Sequence, residues 1–397
     1  MSSWEFVHST RRVVQGWGSL ARLADIAKAA GSTGGATRSA VVIDEFFSRS
    51  AVQERLRELV REGTGSEPAF HVVPAREPDL SVVSACAMTF SMARPELIVV
   101  VGGGSAIDAA KVARMLLSNP GDPETLAGPG KRLAPHPSLL VAVPTTAGTG
   151  AEVSESSVIG REGRDAKLIY HSQEMTPQVA LLDPELTASM PSSVTAESGF
   201  DAVTHAVEAY VSRRSSEMTE PYALAAMQLL GRWLPVAFAE PGNREARGAC
   251  LIASMQAAIA FNSANLGLAH AISGPLSAQQ HAGHGLGNAM ALPHVMAFNA
   301  PAIGGRDAVI AQCFGAPLGL PRGTSAAAAL SHLRHQLGLD RSLDEFVQTD
   351  EDRERLAVWA MKSGQVASNP RDTSIEDIRH ILAAMRVPTG GAAPSPL

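Results

Sequence analysis

Four short runs in the first half of the chain are apolar almost from end to end: SAVVID at 39–44, FHVVP at 70–74, ELIVVVGGG at 96–104 and LLVAVPTT at 139–146. Each ends at turn residues, as strands buried on both faces of a sheet do. Between them, residues 50–63 and 106–119 repeat apolar positions at helical spacing. This alternation predicts a parallel sheet covered by helices, a Rossmann-like α/β domain. From about residue 185 the pattern changes. Proline-marked turns lead into long alanine-rich segments of helical period at 221–239, 244–264 and 325–338, and no run there matches the earlier strands. The expected organisation is an α/β domain over residues 1–183 and an all-helical domain over 184–397, with a frayed tail at 387–397.

Composition narrows the partners. A chain of 397 residues, 45% hydrophobic and 18% charged, can bury the core of two or three domains. The net charge of −6 and the lack of any lysine- or arginine-rich run argue against nucleic acid and anionic membrane surfaces. The N-terminal segment has no apolar signal core and no run is long enough to span a bilayer, so a cytoplasmic location is expected. Cys86, Cys250 and Cys313 form no CxxC pair and are expected to be buried free thiols.

The third apolar run continues as GGGSAIDAAK, placing Gly102, Gly103, Gly104 and Ser105 between a strand and a helix. Glycines there let the backbone approach a ligand and take positive φ. The helix start then offers free amides and a positive dipole end to a pyrophosphate. The string is neither GxGxxG nor a Walker A loop. A second polar loop, PTTAGTGAEVS at 144–154, presents Thr145, Thr146, Thr149 and Ser154, fit to wrap a ribose or phosphate or to form a solvated turn. Asp44, ending its strand, is placed to accept from an adenosine ribose and to repel a 2′-phosphate, which favours NAD over NADP. Its alternative reading is a helix N-cap.

Four of the twelve histidines, His270, His281, His284 and His294, crowd into residues 265–299. Upstream, GFDAVTHAVEAY sets Asp201 and His205 four apart, on one face of a helix. One carboxylate and three imidazoles suit a divalent transition metal, Fe(II) or Zn(II).

Together these motifs resemble the iron-dependent (group III) alcohol dehydrogenase family over nearly the whole chain. GGGSAIDAAK is similar to its cofactor loop, bringing in Asp108 as well, and PTTAGTGAEVS to its second nucleotide-facing loop. DAVTHAVEAY, GLAHAISGPL and HAGHG are similar to its metal-binding segments. The resemblance implies Asp201, His205, His270 and His284 as metal ligands, and a dehydroquinate synthase-like architecture of α/β plus all-helical domains. It also implies hydride exchange between NAD(H) and a small alcohol/aldehyde pair, with Lys167 near the nicotinamide and a homodimer as the default assembly. One position departs: the family usually has another histidine four residues after the third ligand, where this chain has Gly274. That loss predicts a larger pocket, with His281 as a replacement proton relay or as a cation facing an anionic aldehyde; His281 capping a turn is the other reading. Two competitors share the architecture. A dehydroquinate synthase-like lyase would use a Glu-His-His set among lysines and arginines, and residues 265–299 contain neither lysine nor arginine. A maleylacetate reductase-like enzyme need not depend on metal, which fits a full ligand set poorly. His294 is expected to be a packed structural ring.

Overall fold

The computed structural model describes residues 10–31, 36–128, 130–161, 167–280 and 282–386; His281 and the tail lie outside the described residues. Residues 10–146 and 150–187 form one compact unit, and 147–149 with 188–386 form the other.

The first unit is α/β. Its strands are β1 (Arg12–Gln15), β2 (Ser39–Asp44), β3 (Ala69–Val73), β4 (Leu97–Gly102), β5 (Leu139–Pro144), β6 (Ser156–Gly160), β7 (Lys167–His171) and β8 (Val179–Leu182); its helices are α1 (Leu23–Ala30), α2 (Ala51–Thr64), α3 (Leu80–Ala93) and α4 (Gly104–Leu116). Six strands form one sheet in the order β1-β8-β5-β4-β2-β3, with every pairing parallel. β6 and β7 make a separate antiparallel ribbon. Alternate residues of the apolar runs serve opposite faces, which is why the runs are continuous rather than alternating. Val41, Ile43, Val99, Val101, Val141 and Val143 pack with Leu23, Ile26, Leu56 and Val60 of α1 and α2. Val42, Ile98, Val100 and Ala142 pack on the other side with Val83, Phe90, Ile107 and Val112 of α3 and α4. Burying each such valine or isoleucine contributes about 1.5–3 kcal/mol.

The chain goes from β2 outward to β3, then crosses back to β4, so the direction of winding reverses between β2 and β4. And β1 has β8 as its strand partner, in register from Arg12–Val179 to Gln15–Leu182. Beyond it, the amides of Gly18 and Leu20 donate to the buried Asp183 carboxylate at 2.9 and 2.8 Å.

The second unit contains helices and, among the described residues, no strand: α5 (Ser192–Val211), α6 (Glu220–Ala239), α7 (Arg244–Ala264), α8 (Leu268–Gln280), α9 (His284–Ile303), α10 (Arg306–Gly315), α11 (Ala326–Gln336), α12 (Asp350–Met361) and α13 (Ile375–Ala384). α5 is the central member, packed by α6, α7 and α9. Among the described residues no single helix is long and apolar enough to cross a membrane, and the three cysteines are free and buried.

Candidate metal and cofactor sites

Alanine and glycine make α5 thin enough to be enclosed by its neighbours, so the polar side chains it carries inward are desolvated. Asp201 and His205 project from consecutive turns of its buried face. His270 enters from the first turn of α8, and His284 is the first residue of α9. The Nε2 atoms of His205, His270 and His284 lie 3.7, 3.6 and 3.6 Å from one carboxylate oxygen, Asp201 Oδ1. The donor atoms of Asp201, His270 and His284 all fall within 4.8 Å of one another. Asp201, His205 and His270 are buried, whereas the His284 side chain keeps 36% exposure, so the cluster opens on its side.

The far nitrogens of two rings are fixed. His270 Nδ1 donates to Glu208 Oε2 at 2.6 Å, and His205 Nδ1 donates to the Gly148 carbonyl at 3.2 Å. Each bond puts the ring proton on Nδ1 and leaves the Nε2 lone pair facing the cluster, the arrangement that orients histidine ligands at metal centres. Gly148 has to be glycine for this: a Cβ there would sit 2.6 Å from the Ser198 carbonyl oxygen and 2.8 Å from its Cβ. Glu208 also accepts from the amides of Gly267 and Ala269, at 2.9 and 2.6 Å, so one buried carboxylate both seats the start of α8 and aims its histidine.

The charges fit a cation. Burial pushes His205 down to about 4, so that ring is neutral. Burial opposes the charge on Asp201, but His205, His270 and His284 hold its carboxyl well below the usual range. At His270 burial is overcome by Asp201 and Glu208, which raise it to about 9. Two buried carboxylates therefore demand positive charge, the demand a divalent ion meets with neutral imidazoles. The donor set matches in chemistry as well as charge. Asn288, one turn along α9 from His284, lies over it: its Nδ2 donates to Asp201 Oδ1 at 2.8 Å and stands 3.1 and 3.4 Å from Nε2 of His270 and His284.

The structure thus brings together the four residues singled out as ligands. It adds Glu208, Asn288 and the Gly148 carbonyl, which the sequence reading did not mark; Glu208, three residues after His205 on the same helix face, could have been found by that spacing. His294 is a largely enclosed ring that burial pushes to about 4, as a packed histidine should be.

In the α/β unit, Asp44 ends β2, Gly102 ends β4, and Thr145 and Thr146 follow β5. These are the carboxyl ends of adjacent strands at the point where winding reverses, the place where open α/β sheets bind ligands. The Thr145 amide donates to the Gly102 carbonyl at 3.1 Å. The N-terminus of α4 has no side-chain cap, so its first amides remain for an anion, with Ser105 in that first turn. One expectation needs correction: Gly102, Gly103 and Gly104 do not adopt positive φ. Space is the reason for glycine, since a Cβ on Gly102 would lie 2.7 Å from Ala106 Cβ and 3.1 Å from Asp44 Cβ. Gly102→Ala is expected to force β4 and α4 apart and to weaken NADH binding at least about tenfold, read by fluorescence titration; unchanged affinity would exclude this loop from the cofactor site.

Several residues expected at the cofactor also have partners within the protein. Asp108 Oδ2 accepts from the Val158 amide at 2.9 Å, tying α4 to β6. Ser154 Oγ accepts from Lys111 Nζ at 3.0 Å; that fully buried lysine also donates to the Ala151 and Ser156 carbonyls. Both side chains stabilise the scaffold, because a buried ammonium needs close acceptors. Lys167 begins β7 with its Nζ 2.7 Å from Glu77 Oε1. Asp44 does cap the turn after β2, accepting from the Phe46 amide through Oδ1 at 2.9 Å. Thr149 belongs to the short segment grouped with the helical unit and is partly buried.

Comparison with known proteins agrees with this geometry. Residues 10–184 match the model described as iron-containing alcohol dehydrogenase, and residues 195–386 that of the Fe-containing alcohol dehydrogenase family, C-terminal. The chain is 34% identical over 357 residues to the NAD-dependent methanol dehydrogenase of Bacillus methanolicus, covering 88% of this chain and 92% of that one. Among solved structures, a 1,3-propanediol oxidoreductase superposes with a TM-score of 0.87 at 29% identity, over 97% of this chain and 100% of that chain. The sulfoacetaldehyde reductase of Bifidobacterium kashiwanohense in complex with NAD+ gives 0.86 at 28% identity, over 97% and 99%. The protein is therefore a member of the iron-containing alcohol dehydrogenase family, an oxidoreductase of alcohols and aldehydes.

Proposed function

We propose that this protein is an NAD(H)-linked, metal-dependent reductase of a small aldehyde, with Asp201, His205, His270 and His284 holding Fe(II). The observation that carries the reading is the convergence of three imidazole Nε2 atoms on Asp201 Oδ1, with two of the rings fixed from behind by Glu208 and Gly148. When bound, the ion supplies Lewis acidity to the carbonyl oxygen and the nicotinamide supplies the hydride. The protein's own residues bind and orient. Gly102–Gly104, Ser105 and the α4 amides cradle the pyrophosphate, and Thr145, Thr146 and Thr149 line the nicotinamide half. Asp44 keeps Oδ2 for the adenosine ribose and disfavours a 2′-phosphate, hence NAD rather than NADP. Glu208 and Gly148 hold protons on Nδ1 so that both rings present a lone pair. For the alcohol proton, His281 is the expected relay and Lys167 the second candidate, its ion pair with Glu77 being the bond it would have to exchange. We take the assembly to be a cytoplasmic homodimer, the sheet edges at β1 and β3 offering the strands a second copy can extend.

The test loads the protein anaerobically with Fe(II), or with Zn(II), and follows NADH and NADPH oxidation with neutral, carboxylated, phosphonylated and sulfonylated aldehydes. NADH oxidation abolished by a chelator and restored by metal is the expected result. No turnover by the metal-loaded protein on any aldehyde would return the non-redox, dehydroquinate synthase-like reading. Turnover that survives chelation would favour a maleylacetate reductase-like enzyme. An anionic aldehyde is the second substrate reading, supported by the likeness to a sulfoacetaldehyde reductase.

A further inference from the structure

Beside the ligand cluster lies a carboxylate that the chemistry above does not use. Glu197 sits one turn before Asp201 on α5, half-buried, and among the described residues nothing hydrogen-bonds or ion-pairs with it. Burial raises its pKa; the cation that bears on it, Arg341, is itself paired with Glu345. Gly283, immediately before His284, makes room for it: a Cβ there would come within 2.5 Å of Glu197 Oε2. A half-buried acidic side chain given space beside His284, and without a partner among the described residues, has its carboxylate oxygens open to a ligand.

An opening lies at the same end of the cluster. α8 begins beside Glu208, near the C-terminus of α5, and ends at Gln280, three residues before Gly283, which faces Glu197. The two helices thus run in opposite directions past the ligands. One turn beyond His270 on the same face comes Gly274, where an added Cβ would meet no atom of the described residues within 4 Å. The helices that carry the ligands, α5, α8 and α9, contain no lysine or arginine.

We propose that Glu197 and the space at Gly274 form the subsite for the far end of the substrate, and that it takes a hydrogen-bond donor, a hydroxyl or an ammonium group, rather than an anion. Four residues, a rise of about 6 Å, separate Glu197 from Asp201 along α5. That is roughly the reach of a three-carbon chain from the reacting carbon, so the preferred class is the short terminal diols and amino alcohols with their aldehydes. This inference rests on the reductase reading and deepens it.

The test measures kcat/KM of the iron-loaded enzyme with NAD+ for 1-propanol, 1,3-propanediol, 3-amino-1-propanol and 3-hydroxypropanoate. The wild type should favour the diol and the amino alcohol over the hydroxy acid at least about tenfold. In Glu197→Gln the ratio of amino alcohol to 1-propanol should fall about tenfold, and Glu197→Lys should raise the ratio of hydroxy acid to 1-propanol. Gly274→His should lower the diol relative to methanol by filling the opening. Metal content, measured on each variant, establishes that the centre is intact, and calorimetric binding of non-reacting 1,3-diaminopropane, weakened in Glu197→Gln, gives a readout independent of turnover. A wild type that prefers the hydroxy acid, or ratios that do not move in Glu197→Gln, would overturn the subsite. Absence of turnover on all four alcohols, with metal bound, is a different failure, that of the reductase itself.

Discussion

Glu208→Ala is expected to strip the metal from the protein without altering any of the four ligands. The side chain is buried and accepts three hydrogen bonds, from Gly267 N, Ala269 N and His270 Nδ1. Truncation leaves three buried donors unmatched, at about 1–3 kcal/mol each before relaxation. It also frees the His270 ring to rotate and to change tautomer, and loss of such a partner typically weakens metal binding about 10–100-fold. Both effects act on α8, so Tm should fall by more than about 5 °C. Glu208→Gln keeps the shape and an acceptor but faces a donor with its amide, and should fall between the two. Metal titration and thermal melts of the three proteins decide the matter. An alanine variant with wild-type metal affinity and wild-type Tm would reduce Glu208 to a bystander.

Removal of a ligand should be more severe in rate and gentler on the cofactor. His270→Ala and Asp201→Ala are each expected to lower kcat/KM on the order of 10³-fold, because the carbonyl loses the electrostatic stabilisation on which hydride transfer depends. NADH affinity should stay within about twofold, since Gly102–Gly104, Asp44 and Thr145 belong to the other unit. Rates measured with metal in excess, beside fluorescence titration with NADH, separate the two quantities. Loss of NADH binding in these variants would mean that the ligand set supports the fold rather than the reaction.

Much of this could be read in the sequence, for reasons that differ by element. β2, β4 and β5 announce themselves because helices cover both faces of the sheet there, so nearly every position must be apolar; β3 was expected to be buried in the same way but is an edge strand in which only Val73 is buried. β8 is buried like those three but only four residues long, VALL, too short to show a period. β1 is an edge strand with exposed Arg12 and Gln15, and β6 and β7 form a ribbon with exposed Val158 and Ile169 paired across it. Such strands carry no strong apolar signature. The candidate ligands could be picked out because metal chemistry restricts residue type and helical spacing restricts position, and the fold brings the four together. Glu208 and Asn288 were not, since a glutamate or asparagine on a helix is unremarkable until the fold shows which ring it touches. The glycine loop was found for a partly mistaken reason, steric clearance from Ala106 and Asp44 being invisible before β2, β4 and α4 are placed. For Asp108 and Ser154 the motif gave no sign of the partners the fold supplies, the Val158 amide and Lys111 Nζ.

The pairing of β1 with β8 has a consequence for how the chain is made. Synthesis delivers residues 12–15 first, but the strand they pair with, residues 179–182, emerges only after the rest of the sheet. The order β8-β5-β4-β2-β3 has no place for β1 until β8 has joined β5, so the N-terminal strand waits while its neighbours assemble. Closing so long a loop is slow, and Asp183 then fastens it through Gly18 and Leu20. A ribosome that stalled before residue 182 would hold a sheet with a bare inner edge at β5, the kind of surface on which nascent chains aggregate or chaperones act.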